Sequence, residues 1–74
     1  MNAHRDKYLD TLEGKRVKVW FKDGDILTGN LIYVEADKRY ALKNCMDFKR
    51  GIIRHCSQLE FRKSHIKRVE VAHG

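Results

Sequence analysis

Residues 14–31 read GKRVKVWFKDGDILTGNL, and how this stretch divides decides the fold. From Lys15 the apolar residues recur at every second position: Val17, Val19 and Phe21 alternate with Lys18, Trp20 and Lys22. That is the pattern of a strand with one buried face. Asp23-Gly24 follows at once, a strong short-range hairpin signal because the favoured tight turns need left-handed backbone. The chain resumes at Ile26 with Leu27, Leu31 and Tyr33 on one face and Gly29 inside the segment. Glycine weakens a strand, so its presence there marks a bend or a close backbone approach. A second strand bent in its middle is how a small sheet curls toward a barrel.

Upstream, residues 4–13 (HRDKYLDTLE) read as a short helix in which Tyr8, Leu9 and Leu12 share one face and Gly14 supplies the stop. A helix this short is marginal alone, so its apolar stripe must lie on the sheet. Downstream, residues 39–48 and 52–62 form a long hairpin around Arg50-Gly51, which sets Phe48 against Ile53, Met46 against His55 and Cys45 against Cys56. Residues 66–71 make a last strand of imperfect alternation, since Ile66 falls on the opposite face to Val69 and Val71. The expected fold class is mainly β. A short N-terminal helix precedes a five-stranded, strongly bent antiparallel sheet that forms a small open barrel, with strands near 15–22, 26–36, 39–48, 52–62 and 66–71 of a single domain 1–74.

A chain of 74 residues buries only about 60% of the surface its unfolded form exposes, so a lone copy is marginally stable. Two cysteines cannot make a disulfide framework, and oligomerisation is the expected support. No run of about 18 apolar residues is present to span a membrane, and the opening MNAHRDKYLD has no apolar segment suited to secretion. The expected location is cytoplasmic, with Cys45 and Cys56 as reduced thiols. Cys45, His55 and Cys56 invite a zinc reading, but three ligands leave an open site and adjacent strand residues point to opposite faces. His4, His55, His65 and His73 have no partner that would make a general base. No catalysis, cofactor, metal or small-molecule substrate is expected.

The net charge of +6 is unevenly spread. Residues 1–37 carry six basic and seven acidic side chains, a net −1, whereas residues 38–74 carry ten basic and three acidic, a net +7. A domain with one basic half is suited to a polyanion, and nucleic acid comes first among these.

A helix followed by five strands with a bend glycine in the second resembles the Sm-like (LSm) superfamily. The first Sm motif stands here without a gap as Gly14, Val17, Val19, Phe21, Asp23-Gly24, Leu27, Gly29 and Leu31, and Val34 and Leu42 continue its apolar register. A shorter second motif is seen in Phe61-Arg62-Lys63-Ser64-His65-Ile66 and Val69. The Hfq branch is a poorer match, because its Lys-His pair is split here by Ser64. The resemblance implies a homo-oligomeric ring in which the fourth strand of one subunit pairs with the fifth of the next. It also implies single-stranded RNA held near the central pore by the loop after the second strand and by the arginine of the second motif.

Carried onto this chain, that arginine is Arg62, with Lys63 in place of the usual glycine. The loop positions depart from the family. Without a gap, Glu35 replaces the aspartate, Asp37 stands where an aromatic or histidine stacks on uracil, Lys38 takes an apolar position and Arg39 replaces the base-reading asparagine. A shift of two residues puts Asp37 on the aspartate and Tyr40 on the apolar position, but Ala41 on the asparagine. Neither register leaves an intact uridine pocket, so no uridine preference is expected. The candidate RNA-binding residues are Arg62, Lys63, Arg39, Lys38, Tyr40 and Asp37, acting mainly through phosphate. Tyr40 or Trp20 would add base stacking if exposed. The competing readings are a core position for Tyr40 and, for Trp20, packing against the helix or a neighbouring subunit. Two functions stay open: a non-catalytic RNA-binding ring, and a protein-interaction or scaffold ring with no RNA-binding activity.

Overall fold

The computed structural model describes residues 5–49 and 51–72; the expected helix start at His4, the Arg50 half of the hairpin turn and His73 lie outside them. The elements run α1 (Lys7–Thr11), β1 (Arg16–Phe21), β2 (Ile26–Val34), β3 (Arg39–Lys49), β4 (Ile52–Phe61), one turn of 3-10 helix (Lys63–His65) and β5 (Ile66–Val71). They build one antiparallel sheet in the order β4-β3-β2-β1-β5, which leaves β4 and β5 at its two edges.

The alternation expected in β1 is present: Val17, Val19 and Phe21 are buried and Lys18 and Trp20 face outward. Gly24, at φ +97°, closes the turn into β2 in a conformation that side-chain-bearing residues rarely adopt. The bend falls at Gly29. Thr28 pairs with Met46 but Asn30 pairs with Lys43, so β3 carries one extra residue across from the glycine. Asn44 absorbs it in the left-handed region at φ +53°, which asparagine tolerates better than most. A Cβ on Gly29 would lie 3.0 Å from Leu42 Cβ and 3.2 Å from both Cys45 Cα and the Lys43 carbonyl. The strands close on each other because that atom is missing.

A second bulge resolves the imperfect alternation of the last strand. Trp20 opposes Arg68 while Phe21 opposes Ile66, so Lys67 is the surplus residue. One extra residue reverses the facing of everything beyond it. Ile66 thereby joins Val69 and Val71 against the core.

The helix is shorter than the expected 4–13. Asp6 caps it, its carboxylate accepting from the Tyr8 N–H (2.9 Å) and the Leu9 N–H (3.1 Å), and Leu12 closes it. The Gly14 N–H then bonds the Leu31 carbonyl at 2.7 Å, which draws the chain into the sheet. Leu9 and Leu12 are buried, whereas Tyr8 is 55% exposed and does not belong to the buried stripe. The core is Leu9 and Leu12 with Val17, Val19, Phe21, Leu27, Leu31, Tyr40, Leu42, Cys45, Phe61 and Val69.

The β3–β4 register is the expected one, with Phe48 opposite Ile53, Met46 opposite His55 and Cys45 opposite Cys56. The two cysteines are joined as a disulfide across the strands, which corrects the expectation of reduced thiols. Direct opposition sets their Cα atoms 5.2 Å apart, within bridging range.

Candidate functional site

The β2–β3 turn and the segment after β4 meet at one end of the sheet. The turn is tight: the Asp37 N–H reaches the Val34 carbonyl and the Lys38 N–H reaches the Glu35 carbonyl, each at 3.3 Å. Lys38 occupies the left-handed region at φ +53°. Tyr40, two residues on, opposes Phe61 across β3 and β4. Arg62 is therefore delivered beside Arg39, and its carbonyl accepts the His65 N–H at 2.9 Å to hold the 3-10 turn.

The result is a shallow concavity of about 370 Å³ lined by Asp37, Lys38, Arg39, Tyr40, Phe61, Arg62, Lys63 and Ser64. All six sequence-picked residues line this one depression, although 25 positions separate Asp37 from Arg62. Phe61 and Ser64 were not picked. Phe61 forms the apolar floor, which its place beside Arg62 in the second motif signalled.

Lys38, Arg39, Arg62 and Lys63 are exposed, and Lys38, Arg39 and Arg62 close no ion pair among the described residues. Lys63 Nζ donates to the Arg5 carbonyl at 3.4 Å. Two carboxylates oppose these cations. Asp37 lies in the concavity and Glu60 sits beside it, its carboxyl raised above the ordinary range by a shared hydrogen bond with Asp37 and only partly offset by Arg39. Nothing in the sequence reading drew Glu60 into the site.

Tyr40 is a correction. Its ring is 1% exposed and meets Tyr33 edge-on at 5.1 Å, so it is not available to stack on a base. Its hydroxyl accepts the Asp6 N–H at 2.8 Å and donates to Asp10 Oδ1 at 2.6 Å, tying α1 to β3. Arg5 completes the joint, with its guanidinium 4.0 Å from the Tyr33 ring centre and 3.2 Å from Asp10. Burial and the Asp10 hydrogen bond push the Tyr40 phenol up to about 12. A raised phenol stabilises the fold fully below its unfolded pKa near 10, and that stabilisation is lost as pH rises toward 12. Tyr40→Phe is expected to cost about 2 kcal/mol, since it removes a hydrogen bond to a charged acceptor and leaves Asp10 to Arg5 alone. The same variant should lose the alkaline unfolding step in a pH-dependent circular-dichroism titration.

The Trp20 ring is met by Lys18 from its own strand and by Arg68 from β5. Among the described residues no helix is long and apolar enough to cross a membrane.

A short N-terminal helix on a five-stranded, sharply bent antiparallel sheet is the Sm-like fold, and the chain has that fold. A chain of the P. aerophilum SmAP1 heptamer superposes at TM-score 0.75 with 18% identity, over 90% of each chain. The Pyrococcus abyssii Sm protein, solved in complex with a uridine heptamer, gives TM-score 0.71 and 17% identity over 88% of this chain and 93% of that one. A chain of the NatC complex bound to CoA gives 0.70 and 19%, over 86% and 83%. The chain matches no protein-family model and no curated sequence.

Proposed function

We propose that the protein is a non-catalytic, ring-forming binding module that takes single-stranded RNA on a basic face built from Lys38, Arg39, Arg62 and Lys63. The observation that carries this reading is their convergence, from two distant segments, on one concavity. Solved structures of the same fold include a heptamer and a complex with a uridine heptamer. Ring closure is supported by the sheet order, which leaves β4 and β5 as edges able to pair head to tail between copies. Asp37 and Glu60 in and beside the same concavity weigh against a uracil-stacking pocket, so contact through phosphate dominates.

The test is fluorescence anisotropy with labelled U-rich, A-rich and mixed-sequence single-stranded RNAs at low and physiological salt. Binding that weakens steeply with salt and differs little between bases is expected. Absence of binding at low salt would leave the scaffold reading. Light scattering at micromolar concentration checks the ring, and a monodisperse monomer would contradict it.

Glu60 makes the binding pH-dependent. Its proton affinity is raised by Asp37, so acidification neutralises it at a higher pH than an ordinary glutamate. Each proton taken up removes a negative charge from beside the phosphate path. RNA affinity should therefore rise as pH falls, beginning at a higher pH than an ordinary glutamate would give. Glu60→Gln should show the higher affinity already at neutral pH and flatten the profile.

A further inference from the structure

A second face carries the ingredients of nucleic-acid recognition and shares no residue with the concavity. The outward side of β1 presents Arg16, Lys18 and Trp20 in a row, spaced about 6.6 Å apart by the two-residue repeat of a strand. Arg68 is brought opposite Trp20 from β5. Lys18 Nζ and Arg68 Cζ lie over the half-buried Trp20 ring, 5.1 Å and 5.2 Å from its centre, so these long, exposed-tipped side chains swing aside when a base stacks on the indole. Trp20 makes no hydrogen bond through its indole N–H among the described residues. The β2 residues opposite this row are Ile26, Thr28 and Asn30, all uncharged. The acid on this face is Glu70, opposite Lys18 and already paired with Arg68.

This basic row was hidden in a half of the chain whose net charge is −1. Its acids lie elsewhere: Asp6, Asp10 and Glu13 in and around α1, Asp23 and Asp25 in the β1–β2 turn, and Glu35 and Asp37 in the β2–β3 turn. Folding sorts the strand cations away from the turn acids.

We infer that the Trp20, Lys18, Arg68 and Arg16 face is a second contact surface for single-stranded nucleic acid, with a base on the indole and phosphates on the flanking cations. The inference rests on the RNA-binding reading above and extends it from the concavity to the outer wall. An aromatic face bordered by cations suits a polymer that alternates flat bases with anionic phosphates. An acidic peptide would meet the cations but leave the indole face unused.

Trp20 is the sole tryptophan, so its emission reports this face directly. The experiment titrates the protein with poly(rA) and poly(rU) while following tryptophan emission, alongside anisotropy of a labelled single-stranded RNA. Saturable, salt-reversible quenching is expected, persisting at low salt in Arg62→Glu. Trp20→Leu should lower affinity for the long polymers about tenfold, the loss of one stacked base, and Trp20→Phe should restore most of it. A rise in anisotropy with unchanged emission would overturn the outer-wall surface and leave the concavity standing. No anisotropy change at low salt would overturn both. Equal quenching by polyglutamate would overturn the nucleic-acid assignment.

Discussion

Gly29→Val is expected to abolish the folded protein or leave it only partly folded at room temperature. The obstacle is steric and lies mostly in the backbone. The first side-chain atom would lie 3.0 Å from Leu42 Cβ and 3.2 Å from Cys45 Cα and the Lys43 carbonyl. Two of those three are main-chain atoms and cannot rotate away. Leu42 and Cys45 are fully buried, so retreat there opens the centre of the core. Overpacking of this kind costs about 1–3 kcal/mol when side chains can yield. Here the β2–β3 bulge itself must shift, and the cost should exceed that range. A 74-residue domain has a total stability of about 4–11 kcal/mol, so most of it is at stake. Gly29→Ala introduces that same first atom, so it should already cost about 3 kcal/mol, with Tm falling on the order of 4–8 °C per kcal/mol, and the two branches of valine add to it. Thermal melting by circular dichroism checks both. A valine variant melting within a few degrees of the wild type would show that the bend does not depend on this approach.

Arg62→Glu is expected to cost RNA affinity on the order of a hundredfold or more at physiological salt, with the fold intact. Arg62 is exposed and makes no side-chain bond among the described residues, so its removal leaves the sheet unchanged. It lies in the concavity with Lys38, Arg39 and Lys63 opposing Asp37. Reversal changes the local charge by two in every subunit of the proposed ring, and binding through phosphate scales with the number of phosphates neutralised. The slope of log affinity against log salt should become shallower. Arg62→Lys keeps the charge but loses the flat guanidinium, and should fall between the two. Anisotropy titrations across salt concentrations measure all three. Undiminished affinity in Arg62→Glu would remove this residue from the binding face.

The architecture was legible where local chemistry decided it. Val17, Val19 and Phe21 on one side of β1 follow from the two-residue period of a strand, and Asp23-Gly24 from the backbone a tight turn demands. The β3–β4 register, Cys45 opposite Cys56 included, follows from placing the turn at Arg50-Gly51, because a turn position fixes every pair beyond it. Charge excess and motif spacing together nominated Lys38, Arg39, Arg62 and Lys63, which the fold then gathered.

Other features required the third dimension. Lys67 as a bulge, and so the inward face of Ile66, depends on how β5 meets β1; the strand's own pattern shows a broken alternation but not how it is resolved. Tyr40 carries the same side chain whether it stacks on RNA or anchors α1; the contacts with Asp6 and Asp10, thirty or more positions away in sequence, decide for the anchor. Glu60 acquires its raised proton affinity from Asp37, a neighbour only across the sheet. Trp20 becomes the centre of a basic face only when β5 lays Arg68 beside it. Period, turn type and net charge are properties of adjacent residues and can be read along the chain. Burial, titration and the company a side chain keeps are set by residues distant in sequence, and for this protein only the folded sheet supplies them.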